Sequence, residues 1–205
     1  MELLLVRHAL PIRREVTEGA ADPELSEIGV AQAKLLGEYL ADEQIDAVYS
    51  SPMRRAMETA RPVADGQGRE TVVADGIAEY DRNASWYVPI EELRATNDPR
   101  WQALARGEWQ SDESAEDFHD RVLQAIEAIV AAHSGERVAV VCDGGVINSY
   151  LADVLGLPRR LGFFYPAYSG VSRVAAAQEG RRSIISINDI GHLRGSGLPA
   201  GLSPL

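Results

Sequence analysis

Cysteine is nearly absent from this chain: Cys142 stands alone, so no internal disulfide can form. That points to a reducing compartment, the cytoplasm. Long apolar runs are missing too. No stretch approaches the ~20 residues that span a bilayer, and Leu3–Val6 has neither the basic leader nor the cleavage site of a signal peptide. Positive charge is short: the formal net charge is −11. Broad binding to nucleic acid or to an anionic membrane needs a positive field, so both are excluded as expected partners. Lysine is reduced to Lys34, every other basic side chain being arginine; arginine is the better planar fork for phosphate, but so general a bias is background. Repeats and low-complexity tracts are also lacking. What remains is ordinary, 45% hydrophobic and 25% charged over 205 residues, enough to bury a core as one domain, 1–205.

The most informative stretch is Glu2-Leu3-Leu4-Leu5-Val6-Arg7-His8-Ala9. Its four-residue apolar run suits a strand buried on both faces, as in a parallel sheet. The run stops at a cation and an imidazole. Ligands of open α/β sheets bind beyond the carboxyl ends of strands, which is where Arg7 and His8 would sit. A guanidinium grips phosphoryl oxygens, and a neutral imidazole nitrogen can attack phosphorus. An Arg-His pair at a strand end also serves as a plain solvated boundary.

Further along, Arg13 and Arg14 lie in a charged loop, either on a substrate rim or simply in solvent. Ser26 is a helix N-cap, followed by a stripe of Ile28, Ala31, Leu35, Leu36 and Tyr39. Ile45–Tyr49 reads as a second strand. Ser51-Pro52 then opens a helix whose first turn carries Arg55, a cation set against the helix dipole unless an anion lies between them. Thr71–Ala74 is a third strand, and Glu79 follows it as a general acid or a loop acid. The segment at about 83–117 breaks the alternation and holds all three tryptophans, Trp86, Trp101 and Trp109. We read it as an insertion over the site, with Arg82, Trp86 and Tyr87 as candidates for reading a substrate. Ser114 caps a helix with a stripe from Phe118 to Val130, and Gly135 ends it. His133 falls in its last turn and His119 beside the stripe, neither placed for catalysis. Arg137–Cys142 is another buried strand, leading into Asp143-Gly144-Gly145 and a helix, where glycines admit a ligand to backbone N–H groups. Val171–Ala177 and Ser183–Ile187 close the sheet as an antiparallel pair, with His192 in the tail. The alternation predicts an α/β sandwich.

Taken together, Arg7-His8, Ser51 through Ala56, Glu79 and Asp143-Gly144-Gly145 resemble the histidine phosphatase superfamily, which includes the cofactor-dependent phosphoglycerate mutases. Leu5-Val6-Arg7-His8 matches its N-terminal motif, with Ala9 for the usual glycine. Leu25 through Ala33 matches its first helix, and Ser51 through Ala60 the segment of its second phosphate arginine. The resemblance implies a three-layer α/β/α sandwich, mostly parallel with an antiparallel edge strand. It implies a cytoplasmic phosphatase without metal or other cofactor, acting on a small phosphomonoester. Under it His8 becomes the phosphorylated nucleophile, Arg7 and Arg55 hold the phosphoryl oxygens with Gly144, and Glu79 is the acid and base. A homodimer is the commonest assembly to expect.

One position departs. Where the family has a second histidine that donates to the phosphoryl group, this chain has Asp143. An ionised carboxylate has no proton to donate, and at about 4 Å it would repel a phosphate charge by on the order of 4 kcal/mol. Reduced activity is expected. The alternatives are a protonated Asp143 that donates in acid, a non-hydrolysing protein that binds phosphorylated ligands, and an engineered or accidental change at Asp143 in an otherwise ordinary enzyme. His192 is a further stand-in donor. A phosphoglycerate-type mutase is also carried, against the short length of the chain.

Overall fold

The computed structural model describes residues 1–106, 108, 111–158 and 162–201. In chain order its elements are β1 (Glu2–Arg7), β2 (Arg14–Glu15), α1 (Glu27–Leu40), β3 (Ala47–Ser50), α2 (Arg54–Gly66), β4 (Thr71–Val73), β5 (Trp86–Tyr87), α3 (Ile90–Ala95), α4 (Pro99–Ala105), α5 (Ala115–Ala132), β6 (Arg137–Cys142), α6 (Gly144–Val154), β7 (Val171–Ala176) and β8 (Arg182–Asp189). Six strands form one sheet in the order β4-β3-β6-β1-β7-β8, while β2 and β5 pair separately. β4, β3, β6 and β1 run parallel, β7 is antiparallel to β1, and β8 is antiparallel to β7.

The unbroken apolar runs of β1 and β6 are explained by burial on both faces. Leu3, Leu5, Val138 and Val140 pack with Phe118, Val122 and Ile126 of α5 and with Ile147 and Leu151 of α6. Leu4, Val6, Ala139 and Val141 pack on the other face with Leu36 and Leu40 of α1 and with Ala60 and Val63 of α2. These are the three layers expected. Each such aliphatic side chain contributes about 1.5–3 kcal/mol by leaving water, so Leu4→Ala in the middle of β1 would cost about 2–5 kcal/mol.

Three helices differ from the sequence reading. The buried face of α1 is Gly29, Gln32, Ala33, Leu36, Gly37 and Leu40, whereas Ile28 and Tyr39 are exposed. Close approach decides this: a Cβ on Gly37 would lie 2.9 Å from Pro62 of α2, so the small residues, not the large apolar ones, face the neighbouring helix. Gln32 is buried because its amide is satisfied, accepting from Leu10 N and donating to the Pro199 carbonyl. α2 starts two residues later than Pro52 suggested, with Met53 at the N-cap and no side-chain cap; Asp22 accepts from Arg54 N instead. Ser26 and Ser114 cap α1 and α5 as expected. His119, expected beside the α5 stripe, is inside it, with Nδ1 2.8 Å from Ser149 Oγ of α6. No helix among the described residues is long and apolar enough to cross a membrane.

Candidate active site

Sheet register assembles the centre of the site. Arg7 and Cys142 are register partners at the ends of β1 and β6, and His8 N donates to the Cys142 carbonyl at 2.9 Å. The next residues, His8 and Asp143, therefore leave the sheet side by side. β3 ends against the same edge, where Ser51 N donates to the Val141 carbonyl, and α2 follows at once. Thr59 of α2 fixes that helix to β1: its Oγ1 accepts from Ala9 N and donates to the Arg55 carbonyl. Arg55 is thereby carried to the strand ends and is fully buried.

Asp143 stands at the N-cap of α6 but makes no capping bond. Its carboxylate turns into the site instead. Oδ1 accepts from Arg55 Nε at 2.6 Å, lies 2.5 Å from Arg55 Nη2, and sits 3.2 Å from His8 Nε2. One carboxylate oxygen thus draws together the guanidinium and the imidazole. Burial alone would raise Asp143, but the Arg55 guanidinium beside it holds the carboxyl well below the usual range. A protonated, donating Asp143 is therefore not the resting state. The imidazole Nδ1 lies 2.7 Å from the Ala9 carbonyl; a carbonyl only accepts, so Nδ1 carries the proton and Nε2 is the free nitrogen. Burial pushes His8 below its ordinary value, with Asp143 pulling the other way. A neutral Nε2 then faces an anionic oxygen with no hydrogen between them, a contact that a phosphoryl group or a swing of Asp143 relieves.

Glu79 closes the opposite side. Gly145 N donates to its Oε2 at 2.8 Å and Tyr80 N to its Oε1 at 3.0 Å. A Cβ at position 145 would lie 2.3 Å from Oε1, which is why the second glycine is needed there. The α6 amide expected to be open to a ligand is thus taken by Glu79. Burial, reinforced by the anions Asp143 and Asp81, pushes Glu79 up to about 8. It enters neutral pH as an acid.

Arg7 donates through Nη1 to the Pro166 carbonyl at 2.6 Å and lies over the rings of Tyr168 and Tyr165, 4.1 and 4.9 Å from their centroids. Gly144 packs against its Nε, 3.8 Å from where a Cβ would be. Arg7 Nε and Arg55 Nη1 are buried without a hydrogen-bond partner. Two fully charged guanidinium groups with unused donors are what an incoming oxyanion would satisfy.

Of the proposed substrate-reading residues, Tyr87 alone reaches this centre, its ring 4.6 Å from Arg55 and 6.3 Å from His8. Trp86, one residue earlier on the same strand, points the other way and lies under Arg100. Arg13 is held by Glu92 and Glu15, Arg14 by Glu24, and Arg82 by Asp75. His192 bonds Ser169 Oγ through Nε2, so it is no stand-in donor. Trp101 lies on α4, half-buried, and Trp109 falls outside the described residues. Sequence reasoning passed over Asp81, Tyr165 and Tyr168. The aromatic run Phe163-Phe164-Tyr165-Pro166-Ala167-Tyr168 was the available signal for the tyrosines, and the Glu79-Tyr80-Asp81 spacing for the acid. Glu91 on α3 takes the hydroxyls of both tyrosines, 3.0 and 3.1 Å away. Among the described residues no group of three metal-binding side chains forms.

Comparison with known proteins identifies the family and the fold. The family model described as histidine phosphatase superfamily (branch 1) matches residues 3–190. Phosphoserine phosphatase 1 of Hydrogenobacter thermophilus is 30% identical over 201 residues, 94% of each chain. A glucosyl-3-phosphoglycerate phosphatase of Mycolicibacterium vanbaalenii is 32% identical over 159 residues, 69% of this chain and 67% of that protein. Among solved structures, the phosphoserine phosphatase of Entamoeba histolytica in complex with 3-phosphoglyceric acid aligns with a TM-score of 0.74, covering 94% of this chain and 98% of that one at 21% identity.

Proposed function

We propose, for a chain that belongs to the histidine phosphatase superfamily and is a phosphoric monoester hydrolase, that it works through phosphorylation of His8 on a small substrate. The observation that carries this reading is the convergence of His8 Nε2 and two Arg55 nitrogens on one carboxylate oxygen, with Arg7 and the buried Glu79 alongside.

In the first step Nε2 attacks phosphorus in line, the bond to the leaving oxygen breaks, and Glu79 gives that oxygen its proton. Arg7 and Arg55 hold the equatorial oxygens, whose charge spreads in the transition state. In the second step Glu79, now a carboxylate, takes a proton from water as the water attacks phosphorus. The bond to Nε2 breaks and inorganic phosphate leaves. Before either step Asp143 must yield its place on Arg55 to the phosphoryl group. Its negative charge also opposes the incoming dianion, so activity is depressed relative to a protein with a donor there.

Rapid quench with a phosphate-labelled ester tests the reading. Acid-labile label on His8 that forms and decays at the turnover rate is expected; a rate unchanged in His8→Ala would sink it. A second reading, binding of phosphorylated ligands without turnover, is favoured by the grip of Asp143 on Arg55. Ligand binding without any label on His8 would select it.

A further inference from the structure

The proposed cycle leaves one charged group of the hollow without a task. Asp81 lies two residues beyond Glu79, its Oδ1 3.6 Å from Arg55 Nη2. That oxygen is buried and has no hydrogen-bond partner. The side chain as a whole is nevertheless 27% exposed, against 0–3% for Arg55, His8 and Asp143. Asp81 is therefore the least buried of these charges, with one oxygen turned in toward Arg55 and part of the group reachable from solvent. A buried acceptor without a donor is destabilising, and a ligand that brings a donor relieves it.

Charge decides which donor. Arg7 and Arg55 are balanced by Asp143 and Asp81, while His8 is neutral and Glu79 is protonated at neutral pH. Burial raises Asp81 to about 6, so it remains mainly ionised above that pH. A phosphoryl dianion then leaves the filled hollow net negative. The nearby arginines do not correct this, since Arg13, Arg14 and Arg82 are already held by carboxylates. Glu91, bonded to Tyr165 and Tyr168 beside Arg7, adds another anion. A leaving group that carries a carboxylate meets repulsion here. One that carries an ammonium brings three N–H donors to an orphaned carboxylate oxygen.

We propose that Asp81 receives a cationic group on the leaving alcohol, making phosphomonoesters of amino alcohols the preferred substrates over phosphorylated hydroxy acids. This rests on the phosphatase reading and names its substrate class. The size of the preference lies between the few-fold value of an exposed ion pair and the far larger one of a buried pair.

The test compares phosphoethanolamine, neutral propyl phosphate and phosphoglycolate, with p-nitrophenyl phosphate as a generic check on turnover. Expected is a kcat/KM about tenfold higher for phosphoethanolamine than for propyl phosphate, with phosphoglycolate below both. Asp81→Asn should bring the ratio of the first two close to one, a comparison made within one variant and so independent of its overall rate. Equal rates for all three esters, a preference for phosphoglycolate, or a preference that survives Asp81→Asn would overturn the proposal. If no ester is turned over, p-nitrophenyl phosphate included, the phosphatase reading fails. Calorimetric binding of the same three esters to His8→Ala then decides the present proposal alone: the same order supports it, and any other order removes it.

Discussion

The two ends of the central sheet use the same residue types to opposite ends. At the start of β1, Glu2 bonds Arg137 at 2.8 Å and Arg173 at 2.9 Å, and Glu43 joins the same arginines. Each charge there has an opposite neighbour and water nearby, with side chains 14–34% exposed. At the other end, Arg7, Arg55, Glu79 and Asp143 are 0–8% exposed, and Arg7 Nε, Arg55 Nη1 and Asp143 Oδ2 lack hydrogen-bond partners. Glu79 is pushed up and Asp143 down within the same few ångströms. Matched, partly wet charges brace a fold and leave nothing for a ligand to complete. Buried charges with unspent donors cost stability and are poised for an anion. Substitutions at the two ends should therefore separate cleanly into loss of reaction and loss of stability.

The largest effect belongs to the proposed nucleophile. His8→Ala should lower turnover of any phosphomonoester by at least about a thousandfold and abolish acid-labile labelling, with the thermal midpoint little changed. A variant that keeps its rate would mean that the unmatched end is not the reacting one.

Next comes Glu79→Gln. Loss of a general acid costs about 10²–10⁴-fold, and the loss should fall on alkyl esters, whose alkoxide leaving group needs a proton. With p-nitrophenyl phosphate only the first step should be spared, because its phenolate leaves unaided; labelled His8 should then accumulate, since the water that attacks it has lost its base. The pH profile gives the sign. Glu79 must be protonated for the first step, and burial holds it at about 8 against an ordinary 4.5. Activity on alkyl esters should thus persist at neutral pH and fall as pH rises through about 8. On the acid side His8 must be neutral, and since its value lies below the ordinary 6.5, activity should extend below that pH. A profile whose alkaline limb lies near 5 would show that burial does not tune Glu79.

Asp143→His restores a donor and removes an anion, so kcat/KM should rise about tenfold or more. Asp143 is also one of the charges raising Glu79. The same substitution should move the alkaline limb to lower pH, which a merely structural repair would not do. No gain, with the limb unmoved, would show that Asp143 is compatible with full activity.

How much of this was legible beforehand differs between the two ends as well. The apolar runs of β1 and β6 announced two-sided burial and put Arg7, His8 and Asp143 at strand ends, but that these two strands are neighbours in register was visible only in the fold. Arg55 and Glu79 stood out locally, as a cation at a helix start and an acid after a strand, but only the family resemblance placed them in the site, because no local pattern says that α2 or the turn after β4 folds onto β1. Pairing by distant segments was not legible at all. Arg13, Arg14 and Arg82 looked like free cations, but Glu92, Glu24 and Asp75 meet them only in the fold. The face of α1 was missed by about one residue, since large apolar side chains were weighted over the glycines that set the approach to α2. Tyr168 reaches Arg7 from 161 positions away in sequence, beyond any local period.

The smallest expected effect is at the matched end, and it completes the comparison. Arg173→Ala leaves Glu2 its bond to Arg137, while Glu43 keeps only a 3.5 Å contact with that arginine. A partly buried pair broken on one side, with a substitute cation nearby, should cost about 1–2 kcal/mol, read as a fall of a few degrees in thermal midpoint. Because these charges sit at the opposite end of β1 from His8, kcat and KM should stay within about twofold of the unsubstituted protein. If Arg173→Ala instead lowered kcat with stability intact, the strand would be transmitting strain along its length. The two ends would then have to be treated as one coupled system.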